Sequence, residues 1–313
     1  MAEPLFLSSV LHEKIWGGNK LETIFGLNIP SDKTGEYWGI SGHQNGLSTI
    51  KNGHFKGWTL DQLYLKHPEL FNDADDQQFP LLTKILDAND WLSVQVHPDD
   101  AYALEHEGEL GKTECWYILE AKEGAEIILG HHAKTRAELE SSIDKGEWET
   151  LLKKVPVKAG DFFYVPSGTL HAIGPGIVIL ETQQSSDTTY RVYDFDRLDS
   201  KGVARDLHLA DSKAVTSIKD PIVYRKHYQK QGDLAITRFM SNSFFTVEKW
   251  ELDGHVSLSK DSSYKLFTLI DGVGEISVAD KTYPIKKADN FILPSDVTDW
   301  QLSGQMTFIM SEL

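Results

Sequence analysis

Runs of four to seven residues rich in β-branched and aromatic side chains, each closed off by Gly, Pro, Asn or Asp, recur through most of this 313-residue chain. Examples are Trp91–His97, Cys115–Leu119, Glu126–Leu129, Asp161–Val165 and Ile177–Leu180. Runs of that length are too short for a helix that must bury one face, and they suit strands. Turn formers at such intervals give the texture of an all-β sandwich or barrel. Helical patterns are confined to a few places. Thr59–Gln62 and Thr135–Glu138 have capping-box spacing, which predicts helices over 59–71 and from 135 to about 155, the second with a break near Gly146. A short helix is expected over 99–106, after Pro98, with Asp99 as its N-cap. These read as helices inserted into a β scaffold.

A chain of this length makes one large domain or two moderate ones. From about Tyr224 the pattern changes to short strands at 248–252, 265–270, 274–278, 290–293 and 306–310, and no helical segment follows roughly Ala214. A boundary is therefore expected near residue 230, with a larger domain over 1–230 and a smaller β domain over 231–313. Residues 158–166 and 287–294 form a weak repeat: a polar turn, an apolar strand and a closing proline. Only the first copy has a histidine downstream, so chemistry is expected in the first domain alone.

The 31 basic side chains face 47 acidic ones, a net charge of −16 with His neutral. No protein-wide basic field is available to gather nucleic acid or anionic lipid, so neither is an expected partner. No apolar run approaches the roughly 18 residues that span a bilayer. The first residues carry Glu3 where a signal peptide has basic residues, so the expected compartment is the cytoplasm. Cys115 is the single cysteine, which excludes a Cys-rich zinc motif and leaves His, carboxylate or amide ligands for any metal. By alternation it points away from the side of Glu114 and reads as a small buried hydrophobe.

The strongest local signal is Gly160-x5-Pro166-x-Gly168-x2-His171, a strand, a Pro/Gly turn and a histidine aimed from the corner. Upstream, Gln95 and His97 project to one face of an extended strand about 6.6 Å apart, at a rise of roughly 3.3 Å per residue. Glu114 follows His97 after sixteen intervening residues, at the start of the next strand. This two-part spacing resembles the cupin superfamily, in which two motifs on facing strands of a jelly-roll barrel hold one metal. Gln95 stands where a histidine is common in that superfamily. The set Gln95, His97, Glu114 and His171 offers two imidazoles, an amide oxygen and one carboxylate, so a divalent cation there keeps a residual positive charge. Mixed N/O ligands of this kind suit catalytic zinc acting as a Lewis acid.

A longer set of segments carries a closer resemblance. Ile15–Gly18, Gly35–Trp38, Phe79–Asp87, Leu92–Pro98, Gly111–Glu114 and Glu181–Arg191 occur in order between about Leu5 and Arg197. Together they are similar to type I mannose-6-phosphate isomerases in their short bacterial form. The resemblance implies a cupin jelly-roll domain with helical insertions, followed by a smaller, degenerate cupin-like domain without a metal site. It implies interconversion of mannose 6-phosphate and fructose 6-phosphate through a cis-enediol with one Zn2+ per chain, held by Gln95, His97, Glu114 and His171. Arg191 falls where the family has its active-site arginine. The proton carrier is expected to be Lys112 or Glu181, with Lys112 preferred. Lys84, Asp187 and Trp16 are candidates for substrate contact. Arg191 is read either as a ligand of phosphate or a developing oxyanion, or as an ion pair with Asp187 or Asp194. Trp16 and Trp38 line a sugar-binding mouth or pack in the core, and the Ser/Thr run 182–189 meets phosphate or is simply a loop. His106, His131, His132, His208 and His227 are read as ordinary hydrogen-bonding side chains. A small sugar phosphate is the expected partner, and a monomer or weak homodimer the expected state. A redox cupin fits poorly with Gln95, Lys112 and Arg191, and a non-catalytic cupin fits poorly with an intact ligand set.

Overall fold

The computed structural model describes residues 2–199, 201–261 and 263–313. The chain divides into two compact units. One gathers the residues up to Val10, Trp38–Lys84 and Tyr224–Leu313; the other gathers Leu11–Tyr37 and Ile85–Val223. The C-terminal segment clusters with two earlier stretches of chain.

The unit that contains the C-terminal segment is built on an eight-stranded antiparallel sheet. Its path runs Leu5–Leu7, Asn290–Leu293, Lys265–Val278, Asp299–Glu312, Thr246–Ser259, Leu234–Ser241 and His227–Gln231, with Lys281–Lys286 paired to Lys265–Val278. Two sequence expectations change here. The strands expected at 265–270 and 274–278 are one strand, and those at 248–252 and 306–310 are parts of longer strands of 14 residues. The break expected at 271–273 falls inside a continuous strand, and each of the three long strands contains glycine. Gly254 lies opposite Gly304, and Gly304 opposite Gly274. A Cβ on Gly304, whose φ is +133°, would sit 2.6 Å from the Gly274 Cα. The stripe free of side chains lets three long strands coil without breaking. Trp250, Phe267, Phe291 and Phe308 fill the core of this unit.

The other unit carries a five-stranded sheet in the order Tyr190–Tyr193, Val94–Val96, His171–Ile173, Glu126–His131 and Leu152–Pro156. Strands Ile177–Gln184, Glu114–Ala121 and Phe162–Val165 belong to a six-stranded sheet begun by Val10–Gly18, Thr34–Ser41 and Leu81–Ala88. Leu86, Trp116, Ile118, Ile177 and Ile179 from the second sheet share one buried cluster with Ile127 and Ile173 from the first. The two sheets therefore face each other across a common interior, the two-layer all-β arrangement expected. The other face of the five-stranded sheet presents Val94, Val96, Ile128, Ala172 and Val192, and the helical insert covers it with Leu139, Ile143 and Leu151.

That insert starts as expected. The Thr135 Oγ1 accepts the Glu138 N–H at 3.2 Å, and the helix Arg136–Lys145 ends at Gly146 in the left-handed region. It does not run on to 155. One further turn, Trp148–Leu151, gives way to strand Leu152–Pro156, which pairs with Glu126–His131. Val155 opposite Ile127 and Pro156 at the strand end favour extended backbone over helix. Over 59–71 the helix is Leu60–Lys66, and Pro68 restarts the chain as a 3-10 turn, Pro68–Phe71. Thr59 makes no side-chain cap bond. The Asp99 cap forms as expected, accepting the Tyr102 N–H at 3.0 Å at the head of Asp100–His106. Helices Lys20–Phe25 and Leu209–Val215 had no clear sequence signal.

Candidate metal centre

Alternation along Val94–Val96 turns both valines toward the helical insert, which leaves Gln95 and the following His97 on the interior face. His171 lies directly opposite Gln95 on one side and Arg191 on the other. In the opposing sheet Glu114 pairs with Gln183, and Trp116 with Glu181, so these four share the interior face while Cys115 turns outward. The turn that aims His171 is braced on the first motif, because the Gly168 N–H donates to the His97 carbonyl at 2.8 Å. Gly168 has φ +81°, and a Cβ there would meet the Val215 carbonyl oxygen at 2.9 Å, so the motif needs glycine at that point.

His97, Glu114 and His171 come together, each offering one ligand atom within 4.8 Å of the others, and all three are buried. The Nε2 of His97 is 3.4 Å from Glu114 Oε2, and the Nε2 of His171 is 3.5 Å from Glu114 Oε1. Each imidazole uses its other nitrogen outward: His97 Nδ1 meets the Thr188 carbonyl at 2.9 Å, and His171 Nδ1 meets the Thr169 carbonyl at 2.8 Å. A carbonyl can only accept, so each Nδ1 carries the hydrogen and each neutral ring directs a bare Nε2 at the carboxylate. This is the tautomer in which histidine binds a cation. Gln95 places its amide 3.2 Å from His171 Nε2, and Lys112 Nζ is 3.1 Å from His97 Nε2 and 3.0 Å from Glu114 Oε2. Glu114 Oε2 accepts no well-directed hydrogen bond. Two imidazole nitrogens, an amide and a buried carboxylate with unused acceptor capacity are a donor set that fits a divalent cation such as zinc.

Electrostatics keep the set ready for a cation. Burial, with the Lys112 charge adding to it, pushes His97 down to about 3, and burial also lowers His171. Both rings therefore stay neutral at ordinary pH. Burial works against the charge on Glu114, yet the Lys112 ammonium holds its carboxyl well below the usual range. Lys112 in turn loses stability from burial and regains more from Glu114 and Glu181, so its ammonium is held above the ordinary lysine value.

The other predicted residues have the following surroundings. Glu181 is buried, and its Oε1 accepts the Trp116 indole N–H at 3.1 Å, while the same N–H reaches Glu114 Oε1 at 3.0 Å. Asp187 is close enough to favour the charged form of Lys112. Arg191 donates from Nη1 to the Asp206 carbonyl at 2.8 Å, and its Nε is buried with no hydrogen bond. Asp194 takes its hydrogen bonds from Arg197 and Arg205. Lys84 is buried with Nζ 4.5 Å over the Trp38 ring. Trp16 packs in the core with Leu86 and Trp116, and Trp38 is likewise buried. His131 and His208 make ordinary hydrogen bonds, to the Ser217 carbonyl and from the Arg191 N–H. Sequence reasoning missed Trp116, although its position two residues after Glu114 on the same face was a usable signal. It also missed the carbonyls of Thr169 and Thr188, for which backbone chemistry leaves no residue-type signature.

Facing sheets that carry paired imidazoles and a carboxylate on their interior define a cupin with a candidate metal site. Comparison with known proteins narrows the class. A model of the type I phosphomannose isomerase catalytic domain matches residues 5–119, and a mannose-6-phosphate isomerase cupin-domain model matches 235–313. The mannose-6-phosphate isomerase of Streptococcus mutans is 57% identical over 311 residues, 99% of this chain and 98% of its own. The crystal structure of the mannose 6-phosphate isomerase from Bacillus subtilis superposes with a TM-score of 0.97 at 47% identity and covers 100% of both chains. A zinc-bound mannose 6-phosphate isomerase shares the fold at a TM-score of 0.80 and 14% identity, over 99% of both chains. The chain belongs to the type I mannose-6-phosphate isomerase family.

Proposed function

We propose that this protein interconverts mannose 6-phosphate and fructose 6-phosphate through a cis-enediol, with one Zn2+ held by Gln95, His97, His171 and Glu114. The observation that carries this reading is the meeting of two neutral Nε2 atoms and a buried carboxylate in a chain of this family. When bound, the cation supplies Lewis-acid stabilisation of the charge that builds up on the reacting oxygens, worth several kcal/mol.

The reaction removes the proton at C2 of the aldose while the carbonyl electrons pass to O1, which gains a proton to give the C1=C2 enediol; a proton then returns to C1 as the O2 hydroxyl gives up its own, leaving the ketone at C2. Lys112 is the preferred carrier, because its Nζ lies within hydrogen-bond distance of both His97 and Glu114; it takes the C2 proton only after giving up its own, a loss that Glu114 and Glu181 oppose and that the positive charge of a bound cation would favour. Glu181, joined to the centre through Trp116, is the second candidate. The Thr169 and Thr188 carbonyls keep both imidazoles in one tautomer throughout. A half-turn of the Gln95 amide presents its oxygen in place of its NH2. Arg191 and Lys84 supply positive charge for the phosphate or the developing oxyanion, and Asp187 completes the proposed substrate contacts.

The test is chelator-treated protein assayed with mannose 6-phosphate, with and without added zinc, following fructose 6-phosphate. Turnover that returns only with the metal is expected; equal turnover in both samples sinks the metal assignment. Solvent deuterium wash-in at C2 then separates the carriers. Loss of wash-in on Lys112→Met with retention on Glu181→Gln is expected, and the reverse moves the role to Glu181.

A further inference from the structure

The His97 ring is held by the carbonyl of Thr188, and Thr188 sits in the loop that joins strands Ile177–Gln184 and Tyr190–Tyr193. Loops rarely fix an atom to within a few tenths of an ångström unless something grips them. Three side chains grip this one. Glu109 Oε2 accepts from Ser186 Oγ at 3.3 Å, from the Asp187 N–H at 3.4 Å and from Thr188 Oγ1 at 3.1 Å, so one carboxylate oxygen gathers three successive residues. Glu107 Oε1 accepts the Tyr190 hydroxyl at 2.7 Å, just past the same carbonyl. Gln183 donates from Nε2 to the carbonyls of Gln184 at 2.8 Å and Ser186 at 2.7 Å, at the near end of the loop. Inside the loop, the Thr188 N–H donates to Ser186 Oγ at 3.2 Å.

From this network we infer that Glu109 is a positioning residue for the metal centre: by clasping Ser186–Thr188 it fixes the Thr188 carbonyl, which sets the tautomer and orientation of His97. Charge-assisted bonds to a carboxylate are stronger than neutral ones, and three of them converge on Glu109. The inference rests on the proposed metal-binding role of His97. Partners of metal-binding imidazoles typically change metal affinity by 10–100-fold when they are removed. Glu109 acts one bond further out, so a loss of about tenfold in affinity is expected.

The test is zinc affinity by chelator competition at fixed pH in the full chain, comparing wild type with Glu109→Leu and Thr188→Val. The second variant removes one donor to the clasp and keeps the carbonyl. Glu105→Gln, on the exposed side of the preceding helix, is the control. A second readout is the His97 Nδ1–H resonance in the zinc-loaded protein, which a tight bond to a carbonyl protects from exchange with water. About tenfold weaker zinc binding and faster Nδ1–H exchange are expected for Glu109→Leu, with a smaller effect in the same direction for Thr188→Val and none for Glu105→Gln. Should Glu109→Leu fail to fold, Thr188→Val and Glu109→Gln carry the test. Zinc affinity and Nδ1–H exchange unchanged in folded clasp variants overturn the inference. Wild-type protein that binds no zinc overturns the metal reading itself, so the two failures are distinguishable.

Discussion

Lys112→Met separates the electrostatics of the centre from its packing, because methionine keeps the unbranched stem and removes the ammonium. In the metal-free protein, Lys112 is 5% exposed and Glu114 is fully buried, with Nζ 3.0 Å from the carboxylate. Removing one partner of a buried ion pair costs about 3–5 kcal/mol, since the other charge is left without compensation. At about 2–4 °C per kcal/mol for a unit of this size, the metal-free variant melts on the order of 10 °C below wild type. Zinc reverses the order of effects. The centre carries Glu114 as −1 and Lys112 as +1, so a divalent cation enters wild type against a resident positive charge and enters the variant without it. Binding to the native state alone stabilises it in proportion to affinity. The variant is therefore expected to bind zinc more tightly and to gain more melting temperature from saturating zinc than wild type, while its turnover falls. The assay is a thermal melt of chelator-treated protein with and without zinc, alongside competition binding. Metal-free melting temperatures that coincide, or zinc bound more weakly by Lys112→Met, refute this reasoning.

Trp116→Phe removes the N–H shared by Glu114 and Glu181; a loss of about tenfold in kcat/KM is expected with an unchanged circular dichroism spectrum, and a change under twofold shows that the bridge is not needed. Gly304→Ala drives a Cβ to 2.6 Å from the Gly274 Cα at φ +133° and is expected to cost about 3 kcal/mol or more in urea unfolding; Gly232→Ala, at φ +58° with open space around it, should cost about 1 kcal/mol. Equal costs would contradict the crossing-strand explanation. Burial alone would raise Asp194, but hydrogen bonds from Arg205 and Arg197 outweigh it and depress its carboxyl below the ordinary value. Its contribution to stability is then complete above the unfolded value near 3.9 and lost as pH falls through the folded one. Asp194→Asn should accordingly destabilise at pH 7, and its deficit against wild type should shrink by pH 3. A deficit of the same size at both pH values counts against the pairing.

The centre was legible because its geometry follows from local rules. Period-two alternation puts Gln95 and His97 on one face, and a Pro/Gly corner aims His171. Both hold whatever the rest of the chain does. The position of Glu114 opposite them depends on which strands pair, and a resemblance to a known family supplied what spacing alone did not. Elements were misread where one residue type serves two purposes. The break expected between 270 and 274 is continuous strand, because Gly272 and Gly274 sit where long strands coil past each other, opposite Met306 and Gly304. Leu152 and Val155 fit a helical face as well as a strand, and pairing with Glu126–His131 decided between them. Trp16 beside its glycines read equally as a sugar wall or as core, and its packing with Leu86 and Trp116 is visible only in three dimensions. The clasp of Glu109 on Ser186–Thr188 joins residues 77 to 79 positions apart, which no local pattern encodes.

Zinc K-edge absorption on the reconstituted protein, with metal content measured per chain, bears most directly on the coordination proposed for this site. One zinc per chain is expected, with two imidazole nitrogens near 2.0–2.1 Å and the remaining ligands oxygen, and a spectrum that loses one imidazole in His97→Ala and one in His171→Ala. A zinc environment unchanged by either substitution, or one containing the Cys115 sulfur, would place the metal elsewhere and contradict the proposed centre.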